Sequence, residues 1–113
     1  MRQIWVVDDD RSIRWVLEKA LTRAQMPFRL FESAADVVKA FEHDTPSVLL
    51  SDIRMHDMSG LDLLAFVKNK YPGLPVIIMT AFSDLDSAVS AFQGGAYEYL
   101  AKPFDINSAI DLL

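Results

Sequence analysis

The sequence predicts an α/β protein in which a parallel sheet carries helices on both faces. Three apolar runs, Ile4-Trp5-Val6-Val7, Val48-Leu49-Leu50 and Val76-Ile77-Ile78-Met79, are continuous rather than alternating. That is the signature of strands buried on both sides of a sheet. Between them apolar residues recur at three- and four-residue steps, the period of an amphipathic helix. The two kinds of segment alternate along the chain, which implies right-handed crossovers between parallel strands.

The elements follow in order. After the first run, Ile13, Val16, Leu17, Ala20, Leu21 and Ala24 form one helical stripe, and Pro27 stands where the helix must have ended. Phe28-Arg29-Leu30-Phe31 is a weaker strand candidate, and Ala34, Val37, Val38 and Phe41 form a second stripe. Leu63, Leu64 and Val67 form a third, stopped by Pro72-Gly73. Leu85, Ala88, Val89 and Phe92 form a fourth, with Ser83 and Asp86 spaced to cap its start and Gly94-Gly95 to close it. Tyr97-Glu98-Tyr99-Leu100 is the fifth strand candidate. A last helix is predicted from Asp105 as N-cap, and it reaches Leu113 with no C-terminal cap, so a truncated fifth helix is expected.

Composition narrows the class. One domain over residues 1–113 is expected, with 51% apolar residues to build a core and 24% charged. No apolar run is long enough to span a bilayer, and the first residues lack a signal-peptide pattern, so no membrane association is expected. The absence of cysteine removes disulfides and thiolate metal sites and fits a reducing, cytoplasmic setting. A net charge of −5 speaks against direct nucleic-acid contact, which needs a basic face to displace counterions.

In open α/β sheets functional groups gather beyond the carboxyl ends of the strands. Those ends here carry Asp8, Asp9 and Asp10 after the first strand, Asp52 after the third, Thr80 after the fourth and Lys102 just past the fifth. Two unit charges about 4 Å apart at an effective dielectric near 20 repel by roughly 4 kcal/mol, so converging carboxylates either protonate or draw in a cation. All-oxygen ligation with few protein ligands suits Mg²⁺. Lys102 has only donors, so it balances Asp52 or pairs with an incoming phosphoryl group. Carboxylate, divalent ion, lysine and threonine hydroxyl are together the groups that phosphoryl transfer needs. Each residue alone also has a plainer reading: Asp10 as a helix cap, Thr80 as a satisfied strand hydroxyl. Trp5 and Trp15 read as packing residues, with a partner-facing surface on the first helix as the alternative for Trp15. His43 and His56 lack a second His or Cys nearby and are assigned no metal role.

The segments Val6-Val7-Asp8-Asp9-Asp10, Leu50-Ser51-Asp52-Ile53-Arg54-Met55, Met79-Thr80-Ala81 and Tyr99-Leu100-Ala101-Lys102-Pro103-Phe104 resemble the signatures of bacterial response-regulator receiver domains. Ser12-Ile13-Arg14-Trp15-Val16-Leu17-Glu18 and Ser83-Asp84-Leu85-Asp86 are most similar to the nitrogen regulatory protein C (NtrC) branch. The resemblance implies a flavodoxin-like (CheY-like) strand order 2-1-3-4-5. It also implies that Asp52 is both the phosphoacceptor for a sensor histidine kinase and a Mg²⁺ ligand, and that Asp9 ligates Mg²⁺ directly while Asp8 helps through water. The main-chain carbonyl of Arg54 would be a further ligand, Thr80 and Lys102 would hold the phosphoryl oxygens, and Tyr99 would be the aromatic that changes burial with Thr80. Lys102-Pro103 is a candidate cis peptide. By analogy the output domains, absent from this chain, would be a σ54-dependent AAA+ ATPase and a DNA-binding domain, with homodimerisation on phosphorylation.

One departure stands out, because many receivers carry proline where this chain has His56; its absence is expected to loosen the loop before Met58 and Gly60. Two rival readings are a receiver-like module that signals without phosphate and a haloacid-dehalogenase-type phosphohydrolase. The first is opposed by the intact set Asp8, Asp9, Asp52, Thr80 and Lys102, and the second by Arg54, where such enzymes carry a second aspartate. On this reading the chain is a regulatory domain rather than an enzyme.

Overall fold

The computed structural model describes residues 3–81 and 85–102. Five parallel strands form one sheet in the order β2-β1-β3-β4-β5: β1 (Ile4–Val7), β2 (Phe28–Phe31), β3 (Val48–Asp52), β4 (Val76–Ala81) and β5 (Glu98–Lys102). The helices α1 (Arg11–Arg23), α2 (Ala34–Ala40), α3 (Gly60–Lys70) and α4 (Leu85–Gln93) fill the crossovers. This is the predicted α/β order, and the strand order is the one the family resemblance implied. The expected fifth helix from Asp105, the Ser83 cap and the Lys102-Pro103 peptide bond lie outside the described residues.

Side chains alternate across each strand, and the core divides accordingly. Trp5, Val7, Leu49, Val76 and Ile78 point to one face, where Val37 of α2, Leu63, Leu64 and Val67 of α3 and Ala91 of α4 cover them. Ile4, Val6, Val48, Leu50, Ile77 and Met79 point to the other face, where Leu17 and Leu21 of α1 pack. Both faces being covered explains why the strand sequences are continuous apolar runs. Trp5 is fully buried between Phe31 and Phe41, with ring centroids 5.2 and 4.9 Å away. Among the described residues its indole N–H has no hydrogen-bond partner, so the aromatic packing has to offset that desolvation.

Three details differ from expectation. Asp52, Thr80 and Lys102 lie inside their strands rather than after them, because pairing continues to the register pairs Asp52↔Met79, Thr80↔Ala101 and Ala81↔Lys102. β5 begins one residue later than expected, at Glu98, and Tyr97 is an exposed lead-in whose N–H donates to Val76 O at 2.8 Å. Trp15 is not a packing residue: it is 59% exposed on α1, with the Lys19 ammonium 5.7 Å from its ring centre. Gly94-Gly95 closes α4 after Gln93, and Gly95 takes φ +102°, a conformation that glycine adopts without strain.

Candidate functional site at the carboxyl ends of the strands

Among the described residues the buried polar side chains are Asp8, Ser51, Asp52 and Thr80. All four sit at the carboxyl ends of β1, β3 and β4, the neighbouring central strands. A sheet otherwise packed with aliphatic side chains therefore concentrates its buried polarity at one edge.

Asp8 follows β1 directly and is fully buried. Its carboxylate accepts the Asp10 N–H at 2.9 Å, and its own N–H donates to Phe31 O at 3.2 Å. From the first turn of α1, Arg14 Nη1 donates to the Asp8 main-chain carbonyl at 2.6 Å. Asp10 caps α1: its carboxylate accepts the Ser12 N–H at 2.8 Å. Asp9 is left to face the site, and its carboxylate also meets His56 Nε2 at 3.4 Å. With the imidazole 92% exposed, that contact is worth little in energy. Asp52 ends β3, 9% exposed, and Ser51 Oγ donates to its carbonyl oxygen at 2.9 Å.

Carboxylate oxygens of Asp8, Asp9 and Asp52 lie within 4.8 Å of one another. At such separations, with an effective dielectric near 20, two unit charges repel by about 3.5 kcal/mol or more. Such a cluster is a site that could hold a metal cation. An octahedral ion with ligands at about 2.1 Å spaces neighbouring oxygens at about 3.0 Å and opposite ones at about 4.2 Å. The three carboxylates fit such an ion after a small closure, or with a water between one of them and the ion. Thr80 lies on the next strand, 3% exposed and level with Ala101. Lys102 ends β5 opposite Ala81; its side chain lies outside the described residues. Tyr99, 37% exposed, meets Phe92 of α4 edge-on with ring centroids 5.6 Å apart.

Two residues near the site were not singled out from the sequence. Arg14 holds the Asp8 main chain, as described. Asp57, in the loop after β3, accepts the N–H of Ala34 at 3.3 Å and of Ala35 at 2.9 Å. Burial tends to raise the Asp57 carboxyl, but the N–H groups of Ala35 and Ala34, with its own and that of Met58, outweigh it and hold the group below the ordinary carboxylate value. A carboxyl depressed in the folded state adds stability above its unfolded value, about 3.9, and the gain is lost as pH falls through the folded value. Thermal melts should therefore separate wild type from Asp57→Asn most clearly above about pH 5, and the two curves should converge in strong acid. Equal separation at every pH would assign the loss to something other than this charge.

The profile of the response regulator receiver domain matches residues 4–113, so this chain belongs to the response-regulator receiver family and with it to two-component signalling. Within the family it is similar to the DNA-binding transcriptional regulator NtrC of Proteus hauseri, 63% identical over 97% of this chain and 23% of that protein. The NtrC of Escherichia coli K12 is 60% identical over 97% of this chain and 24% of its own length. The chain thus spans about a quarter of the curated relatives it matches. The apo receiver domain of nitrogen regulatory protein C superposes with a TM-score of 0.88 at 58% identity, covering 98% of this chain and 90% of that one. Its BeF3-activated form gives 0.83 at the same 58% identity, over 99% and 92%.

Proposed function

We propose that this chain is a phosphoryl-accepting switch in which Asp52 takes a phosphoryl group from a phosphohistidine of a sensor kinase, with Mg²⁺ in the carboxylate cluster. The supporting observation is the convergence of three carboxylates at the end of a sheet whose next strand presents a buried threonine. An Asp52 oxygen attacks phosphorus, the P–N bond breaks, and the imidazole leaves with its electron pair, giving an acyl phosphate. Asp9, Asp52 and the Arg54 main-chain carbonyl would hold the ion directly and Asp8 through water, while Thr80 and Lys102 would receive the phosphoryl oxygens. The bound ion would neutralise charge gathering on those oxygens.

The output follows from the charge that arrives, roughly two negative charges and three acceptor oxygens. Thr80 would be drawn toward them and Tyr99 would follow inward, shifting α4 and β5. Val89, Phe92, Tyr97 and Tyr99 are exposed on that side, and we take them as the surface that the switch remodels, including for self-association. Moving a population from 1:99 to 99:1 requires about 5.5 kcal/mol of preference for the active state.

By analogy with the NtrC relatives, the domain would govern a σ54-dependent ATPase and a DNA-binding module within a longer cytoplasmic regulator. No helix among the described residues is long and apolar enough to cross a membrane. The domain itself is expected to turn over no generic phosphate ester.

The decisive experiment is labelling by a small phosphodonor such as acetyl phosphate, with Mg²⁺ or with a chelator. Metal-dependent incorporation that hydroxylamine removes is the expected result. Persistent failure with Mg²⁺ present would instead support a module that signals without phosphate.

A further inference from the structure

The loop from Ile53 to Gly60 carries the Arg54 carbonyl, and its two ends are fixed by backbone bonds: Ile53 N–H to Met79 O at 3.2 Å and Gly60 N–H to Ile53 O at 2.6 Å. Between these ends the loop contains no proline and His56 is exposed, so backbone preference does little to set it. Asp57 supplies a different constraint. Its two carboxylate oxygens accept the first two N–H groups of α2, from residues 22 and 23 positions away, while Ser33 Oγ accepts the third, from Asp36, at 3.2 Å. A helix start leaves these donors without intrahelical partners, and a carboxylate is the best acceptor for them.

The anchor point is itself tied to the acidic cluster. α2 begins three residues after Phe31, whose carbonyl accepts the Asp8 N–H. The connections close a ring: Asp8 to the end of β2, β2 to the first turn of α2, α2 to Asp57, and the Asp57 loop back to Asp52 on β3, which pairs with β1. We propose that Asp57 is a positioning residue for the metal site: clamped on α2, it fixes the loop and so aims the Arg54 carbonyl relative to Asp8, Asp9 and Asp52. This rests on the reading of the site given above.

The test compares Asp57→Ala, Asp57→Asn and Ser33→Ala, measuring Mg²⁺ affinity by calorimetry and amide hydrogen exchange over residues 54–58, both without phosphodonor. Outer partners of metal ligands typically change affinity by 10- to 100-fold when removed. Asp57→Ala should weaken Mg²⁺ binding by about tenfold and speed exchange in the loop, with Asp57→Asn between it and wild type because one acceptor oxygen remains. Ser33→Ala removes a cap from the same helix without touching the loop, so it should lower melting temperature and leave both readouts unchanged. Equal weakening by Ser33→Ala and Asp57→Ala would reduce Asp57 to a helix cap, and unchanged affinity or unchanged loop exchange in Asp57→Ala would overturn the proposal. A wild-type chain that binds no Mg²⁺ would remove the metal reading and the positioning role together, whereas Mg²⁺ binding without Asp52 phosphorylation would remove the phosphoacceptor reading alone.

Discussion

Asp52→Asn is expected to take up no phosphoryl group from a small donor under conditions where wild type is labelled to a large fraction. The amide oxygen is uncharged and a poor nucleophile, and the amide nitrogen carries donors that cannot ligate a cation. The loss is thus complete rather than graded. The same substitution should blunt the response to metal. A ligand that binds only the folded state at ten times its Kd stabilises by about 1.4 kcal/mol, and the wild-type melting temperature should rise accordingly with Mg²⁺. Removing one of the three carboxylates within 4.8 Å should cancel most of that rise. Peptide mapping of any residual label decides the outcome that matters most. Label that persists in the variant at Asp8 or Asp9 would move the acceptor off β3 and strip Asp52 of the proposed role.

Which parts of this molecule could be read from the sequence follows from how local each signal is. Strands buried on both faces have to be apolar at every position, so Ile4–Val7 and the run from Val76 announce themselves, and their alternation with helical stripes determines the class of fold. The acids were legible for a related reason. Asp8 and Asp52 interrupt or end runs in which any charge is costly, so a carboxylate there needs a chemical purpose. The strand order was not readable from periodicity and came only with the family resemblance.

What stayed hidden is what long-range contact decides. Nothing in the residues around Asp57 says that it reaches the start of a helix 22 positions back, because a capping bond across elements leaves no local spacing pattern. Arg14 looks like any basic residue on a helix, and only the turn of α1 brings it to the Asp8 carbonyl. Trp15 departs from the packing role expected for a large aromatic in an amphipathic stretch, because it occupies the solvent side of α1. His56 has no second His or Cys near it in sequence, and that isolation gives no sign of the 3.4 Å contact with Asp9 that the fold creates.

Gly60 supplies the second large effect, and it couples stability to the site. It is the first residue of α3, and a Cβ built on it would lie 2.2 Å from Asp52 O, 2.7 Å from Ile53 Cα and 2.9 Å from Asp52 C. All three atoms are backbone, so no side chain can swing aside to relieve the overlap. Gly60→Ala must therefore push α3 away from the end of β3, breaking the Gly60 N–H to Ile53 O bond, or drag Asp52 with it. Overpacking of this kind typically costs 1–3 kcal/mol and occasionally more; with the lost hydrogen bond we expect about 3 kcal/mol, or a fall in Tm of about 12 °C or more. Gly73→Ala is the matched control, because nothing lies within 4 Å of its added methyl group, and it should change stability by no more than about 0.5 kcal/mol. The functional consequence is separable from unfolding. A displacement of about 1 Å in a reacting group can cost about a hundredfold in rate, so Gly60→Ala should be labelled far more slowly even at temperatures where circular dichroism reports it fully folded. A variant that keeps the wild-type labelling rate, whatever its melting point, would mean that Asp52 is held by β3 alone and that the approach of α3 is only packing.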